Sequence, residues 1–223
     1  MNSDSNVTVP KPSNGTEFTP IEMVTAIATS SSSTTTPGND ITWDATVRQA
    51  VDKCMAGISW EAQCRRLQVK GQWTLVHGDF WPGNVMWYTT QSSNEDDYKH
   101  PLRLIDWEMV GLGSGPQDLG QYIISNMDPV DRRACERDLI QAYHQELLRC
   151  GVPDNDDDDQ SGSLWDYCWK EYRVGGVERW MWFLVWFLGQ PGMTDWAQFF
   201  HDQLAAFLHD HPLIINELTQ PRP

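Results

Sequence analysis

Between residues 74 and 106, three polar side chains, Asp79, Asn84 and Asp106, stand at the mouths of short apolar runs. The first two lie in Leu75-Val76-His77-Gly78-Asp79-Phe80-Trp81-Pro82-Gly83-Asn84-Val85-Met86-Trp87, the third in Leu102-Arg103-Leu104-Ile105-Asp106-Trp107-Glu108. Asp, Asn, Pro and Gly together are ordinary turn chemistry, and Pro82-Gly83 alone would mark no more than a turn. The flanking runs constrain the chain further. Thr74-Leu75-Val76 enters the first loop like a strand, Val85-Met86-Trp87-Tyr88 leaves it like another, and Leu102-Arg103-Leu104-Ile105 delivers Asp106 from a third. This pattern predicts small antiparallel strands around two loops, with the three polar side chains converging on one site.

The spacing has a chemical counterpart. In protein kinases the catalytic loop reads His-Arg-Asp, four residues, then Asn, and a later Asp-Phe-Gly carries a second metal ligand. Here Gly78 replaces the Arg, and Asp106-Trp107-Glu108 stands where Asp-Phe-Gly would stand. Transfer of a γ-phosphoryl group needs positioning and charge neutralisation more than covalent help. One carboxylate must take or orient the proton of the attacking hydroxyl. A carboxylate and an amide oxygen suffice for Mg²⁺, which prefers hard oxygens and keeps several waters. On this pattern Asp79 is the base, Asn84 and Asp106 are the ligands of Mg²⁺ and ATP, and His77 braces the loop.

His77-Gly78-Asp79-Phe80-Trp81-Pro82-Gly83-Asn84-Val85 with Ile105-Asp106-Trp107-Glu108 resembles the aminoglycoside phosphotransferase and choline kinase-like superfamily, most of all its fungal-type members. Gly115-Pro116-Gln117-Asp118-Leu119-Gly120 is similar to the segment that opens the helix after the metal-binding Asp in that superfamily. The resemblance implies that Asp118 buttresses the catalytic loop through its backbone. A plain helix N-cap is the competing reading of Asp118, and the two are compatible. The specific motifs cover residues 74 to 126, and a looser likeness extends to residue 211.

A net charge of −15 speaks against nucleic acid as a partner and suits a cationic small-molecule substrate. Part of that charge is local. Asp154-Asn155-Asp156-Asp157-Asp158-Asp159 reads as a solvated loop, without the Gly and terminal Glu of a calcium loop. The five cysteines form no Cys-x-x-Cys pair, which suits a reducing compartment and makes a zinc site unexpected. The start, Met1-Asn2-Ser3-Asp4-Ser5-Asn6, has neither the basic residues nor the apolar run of a signal peptide, so a cytoplasmic protein is expected. The apolar part of residues 179–189 is too short for a bilayer, which needs about 20 residues, and reads as a core helix.

Residues 1–39 have the composition of a disordered tail, although Ile21-Glu22-Met23-Val24-Thr25-Ala26-Ile27 is compatible with a strand or a helical turn. A kinase-like lobe is expected over 40–212, with 213–223 as a second tail. Asp40 or Thr42 is positioned to cap a first helix whose face is Val47, Val51, Cys54 and Ile58, continuing through 60–67. Gln91-Ser92-Ser93-Asn94-Glu95-Asp96-Asp97 reads as a polar excursion between strands. Helices follow over 118–127 and from Asp128-Pro129 to Gly151, the latter with Leu139, Ile140, Tyr143 and Leu147 on one face. A Trp-rich helical stretch over 164–188 should bend at Gly175-Gly176. Thr194 should cap a last helix with Trp196, Phe199, Phe200, Leu204, Phe207 and Leu208 on one face.

The fold class expected is therefore α+β, mostly α: a protein-kinase-like C-terminal lobe with a small antiparallel hairpin carrying both loops. A kinase also needs a sheet lobe with a Gly-rich loop and a strand Lys. The polar residues ahead of the first helix contain no such pattern, and Lys70 lies too close to His77 to be that Lys. The sheet lobe is thus expected to be absent, and ATP binding by the chain to be poor. Two functions remain open on sequence: an ATP- and Mg²⁺-dependent phosphotransferase acting on a hydroxyl, or a non-catalytic lobe serving as a binding or scaffold module. Trp180, Trp182 and Trp186 read as core. Trp81 and Trp107, beside the carboxylates, are the candidates for a substrate wall that an ammonium group would favour. Glu108 either supports the metal's ligands from behind or is a helix-entry charge.

Overall fold

The computed structural model describes residues 41–56, 73–87, 102–154 and 163–218. All of these lie in the second of two units into which the chain divides, 1–35 and 36–223. The tail 1–39, the continuation of the first helix through Ile58 and 60–67, Lys70, the excursion at 91–97 and the acidic run beyond Asp154 lie outside the described residues.

Among the described residues, four three-residue strands form two nested antiparallel pairs. The outer pair joins β1 (Thr74–Val76) to β4 (Gly111–Gly113), with Leu75 opposite Leu112. The inner pair joins β2 (Val85–Trp87) to β3 (Leu102–Leu104), with Met86 opposite Arg103. Nesting sets the loop between β1 and β2 beside the loop between β3 and β4. The Ile105 N–H donates to the Asn84 carbonyl (3.0 Å) and ties one loop to the other.

Most of the other described residues are helical. Helix α1 (Ala45–Ala56) is capped by Asp44, whose carboxylate accepts from the Thr46 and Val47 amides at 2.7 and 3.2 Å. Thr42 is not the cap; its N–H donates instead to Gln198 on α6 (2.7 Å). Helix α2 (Gly115–Asn126) begins three residues ahead of the expected start, with Pro116 in its first turn. Helix α3 (Pro129–Arg149) is capped by Asp128, which accepts from Val130 N–H (2.8 Å), and ends before Gly151 at φ +85°. The stretch 164–188 divides into α4 (Leu164–Lys170), a π-helical turn (Glu171–Gly175) and α5 (Gly176–Leu188). The expected bend at Gly175-Gly176 thus falls at a widened turn, not a break. Helix α6 (Thr194–Asp210) starts with Met193 in the cap position and no side-chain cap, so Thr194 is its first residue.

The core is formed by Val47, Val51 and Cys54 of α1, Ile123 and Ile124 of α2, Ile140 of α3, Val177, Trp180 and Leu184 of α5, and Leu204, Phe207 and Leu208 of α6. Ile214, Ile215 and Leu218 close it from a 3-10 turn (Pro212–Asn216) and its exit, so the lobe runs past the expected boundary at 212. Three side-chain expectations fail for geometric reasons. Trp182 and Trp186 are exposed and only Trp180 is buried, because 182 and 186 fall on the face of α5 opposite Val177, Trp180 and Leu184. Leu139 is exposed. The buried stripe of α3 is Arg132, Glu136, Ile140 and His144, at four-residue spacing and mostly polar. Trp196 and Phe199 are exposed at the start of α6, ahead of the buried Phe200, Leu204, Phe207 and Leu208. Among the described residues no helix is long and apolar enough to cross a membrane. The described cysteines, Cys54, Cys135, Cys150 and Cys168, are unbridged.

Candidate active site

The first loop is held from below by α2. The Asp118 carboxylate, in the first turns of that helix, accepts from the backbone N–H of His77 (2.6 Å) and of Gly78 (3.2 Å). The N-cap position of that helix is held by Ser114, not by Asp118. Burial raises the Asp118 carboxyl above its usual range, against the pull of those two amides and of the Arg179 guanidinium. The buried His77 ring accepts the Asp79 N–H at Nδ1 (3.3 Å), which leaves the proton on Nε2 to donate to the Ile105 carbonyl (2.8 Å). His77 thus bridges both loops, and its ring packs against Trp107 at a centroid distance of 4.6 Å.

Asp79 lies on the same loop, half-buried. Asn84, buried at the end of a 3-10 turn (Pro82–Asn84), donates from Nδ2 to the Asp79 carbonyl and to Asp79 Oδ2, both at 3.0 Å. The carboxamide nitrogen being engaged, Oδ1 is the atom with which Asn84 can meet a cation. Asp106 stands in the N-cap position of the 3-10 turn Trp107–Met109 in a left-handed conformation (φ +61°, ψ +62°), makes no side-chain cap and is exposed. It directly follows Ile105, which is hydrogen-bonded to Asn84. Among the described residues no group of three or more His, Cys, Asp or Glu could hold a metal. One carboxylate and one amide oxygen make no such cluster, yet are the hard-oxygen set that suits a Mg²⁺ retaining its waters. Glu108 is exposed in the same turn. Trp81 and Trp107 are 46% and 43% exposed beside the loops, Trp107 with the His77 ring against it.

Two residues here are absent from the sequence reading. Gln121, one turn past Asp118 on α2, donates from Nε2 to Asp79 Oδ1 (3.3 Å). Arg179 of α5 donates from Nε to Gln121 Oε1 (3.4 Å). Burial pulls the Arg179 guanidinium below its ordinary value, and the nearby Asp118 and Asp79 carboxylates oppose this. The signal for Gln121 was its place three residues after Asp118, on the same helix face. Nothing in the local sequence marks Arg179.

The model of the family described as "Ecdysteroid kinase-like family" matches residues 21–151, more than half of the chain. The match starts inside the segment whose composition reads as a tail. A Caenorhabditis elegans protein described as "Uncharacterized oxidoreductase dhs-27" is 32% identical over 73 residues, which make up 33% of this chain and 9% of that protein. The chain therefore spans far less than the length of that relative. No solved structure matches. The strand-borne loops, the helical lobe and the family match lead to one conclusion: this chain belongs to the ecdysteroid kinase-like family, within the aminoglycoside phosphotransferase and choline kinase-like superfamily, and carries a small-molecule-kinase type of domain.

Proposed function

We propose that the domain transfers the γ-phosphoryl group of ATP to a hydroxyl of a small molecule, with Asp79 as the base and Asn84 and Asp106 as the residues that hold Mg²⁺–ATP. The observation that carries this reading is the Asn84–Asp79 pair. The amide nitrogen is committed to Asp79, its oxygen remains for a cation, and the Asn84 backbone carbonyl is bonded to Ile105, the residue before Asp106. Bound Mg²⁺ would neutralise charge on the phosphates. The remaining work falls to the chain. Each carboxylate oxygen has two acceptor positions. Asp79 thus keeps capacity for the acceptor's hydroxyl proton while Asn84 and Gln121 occupy one position on each oxygen. His77 and Asp118 hold the loop backbone that presents it.

The acceptor class has two supports that differ. A net charge of −15 draws cationic alcohols, and the faces of Trp81 and Trp107 suit an ammonium group. The family description points to a steroid alcohol, for which the same indole faces offer apolar stacking. A transfer assay with labelled ATP, millimolar Mg²⁺ and low salt separates them. Amino-alcohols outcompeting neutral sugars and steroid alcohols would support the charge argument, and preference for the steroid would support the family one. In either case Asp79→Asn should lower transfer by roughly 10²–10⁴-fold. Transfer undiminished in Asp79→Asn contradicts the assignment of the base.

A further inference from the structure

Asp79 is gripped at both carboxylate oxygens, and only one grip comes from the loop motif. Asn84 binds Oδ2 from within the loop; Gln121 binds Oδ1 from helix α2. A single donor would leave the carboxylate free to turn about its terminal torsion, which is broad and two-fold for Asp. Two donors on opposite oxygens fix its plane. A carboxamide can present either end, however, and an inverted Gln121 would aim its oxygen at Asp79 and repel it. Arg179 removes that ambiguity. A guanidinium only donates, so the end of Gln121 facing Arg179 must be the oxygen and the end facing Asp79 must be the NH₂. Gln121 is 2% exposed, so water offers no alternative partner. The backbone explains why the two meet. At the crossing of α2 and α5, a Cβ on Gly120 would lie 2.6 Å from Gly176 Cα, and one on Gly176 would lie 2.9 Å from Gly120 Cα. Gln121 follows the first glycine by one residue and Arg179 follows the second by three.

We propose that Gln121 and Arg179 are positioning residues for phosphoryl transfer, Arg179 fixing the orientation of the Gln121 carboxamide and Gln121 fixing the plane of the Asp79 carboxylate. This rests on the reading of Asp79 as the base. Gln121 acts through Asp79, and Arg179 acts through Gln121. Arg179 also faces Asp118, which clamps the His77 and Gly78 amides, so one cation on α5 supports both the base and the backbone that carries it.

The test uses the full chain labelled with ¹⁵N and reads the side-chain carboxamide signals of Gln121 and Asn84. In Arg179→Met the Gln121 signals should shift and exchange faster with water, whereas Arg179→Lys, which keeps a donor, should restore most of the wild-type pattern. In Gln121→Met the Asn84 signals should move, because Asp79 is then free to turn; this variant decides the matter if Arg179→Met does not fold. Turnover should fall roughly 10- to 100-fold in both Met variants with the KM for ATP unchanged, the mark of lost orientation rather than lost binding. Unaltered Gln121 signals in Arg179→Met, unaltered Asn84 signals in Gln121→Met, or undiminished turnover in either, overturns the proposal. Should Asp79→Asn retain full transfer, the reading of Asp79 fails, and the carboxamide signals still decide whether Arg179 orients Gln121.

Discussion

Gly78 adopts φ +80°, and a Cβ there would run into the Met109 carbonyl of the opposing loop. Both facts demand glycine where protein kinases carry Arg. The Gly78→Ala substitution should therefore push the two loops apart and weaken the hold of Asp118 on the Gly78 amide. The expected cost is about 1–3 kcal/mol of stability, read as a lowered midpoint in thermal or urea unfolding. An unchanged midpoint would mean that the loops yield more easily than the packing implies. At this scale the sequence was most informative where chemistry is local. Asp79 and Asn84 stand five positions apart, and their side chains bond directly to each other. Asp118 was singled out through resemblance, and its carboxylate accepts from the His77 and Gly78 amides. Gln121 and Arg179 were not legible. Their link to Asp79 depends on a helix crossing, and a buried Gln or Arg looks in sequence like any surface one.

Element by element, hydrophobic periodicity found the helices and missed some of their faces. Helix α3 shows why. Its buried stripe carries Arg132, Glu136 and His144, so a search for apolar spacing selected the exposed Leu139. The stripe is buried because it is paired. Arg132 bonds Glu136 (2.8 Å) and Asp210, and Glu136 also accepts from Tyr172 Oη (2.8 Å) and contacts His211 Nε2 (2.9 Å). Burial alone would raise the Glu136 carboxyl, but His211, Tyr172 and Arg132 together bring it down to about 2. The sign follows. A carboxyl depressed in the folded state adds stability above its ordinary value near 4.5, and that contribution fades as pH falls toward 2. Urea unfolding should show wild type losing more stability than Glu136→Gln between pH 5 and pH 2. Parallel pH curves for the two would contradict a stabilising role for the ionised Glu136.

At the scale of the described lobe, the first loop is fastened to helix α2, and His77 ties the second loop to the first. The strands that carry the loops bury little of their own. Leu75, Trp87, Leu102 and Leu112 are exposed, and the loops are held through Asp118, Gln121 and His77, not through a sheet core. Composition set the acidic balance, and the strand runs with the helical pattern set the class, because both are properties summed over many residues. The burial of Ile214, Ile215 and Leu218 was not legible, since they form too short a run to show a period. The central claim is that Asn84 and Asp106 hold a nucleotide-bound cation while Asp79 does not. Electron paramagnetic resonance of Mn²⁺ in place of Mg²⁺, at millimolar ATP, measures this without turnover. The account predicts that Asp106→Asn weakens protein-bound Mn²⁺–ATP by roughly tenfold or more, while Asp79→Asn leaves it within about twofold, since a proton acceptor is not a metal ligand. Mn²⁺–ATP bound equally well by Asp106→Asn and wild type would contradict it.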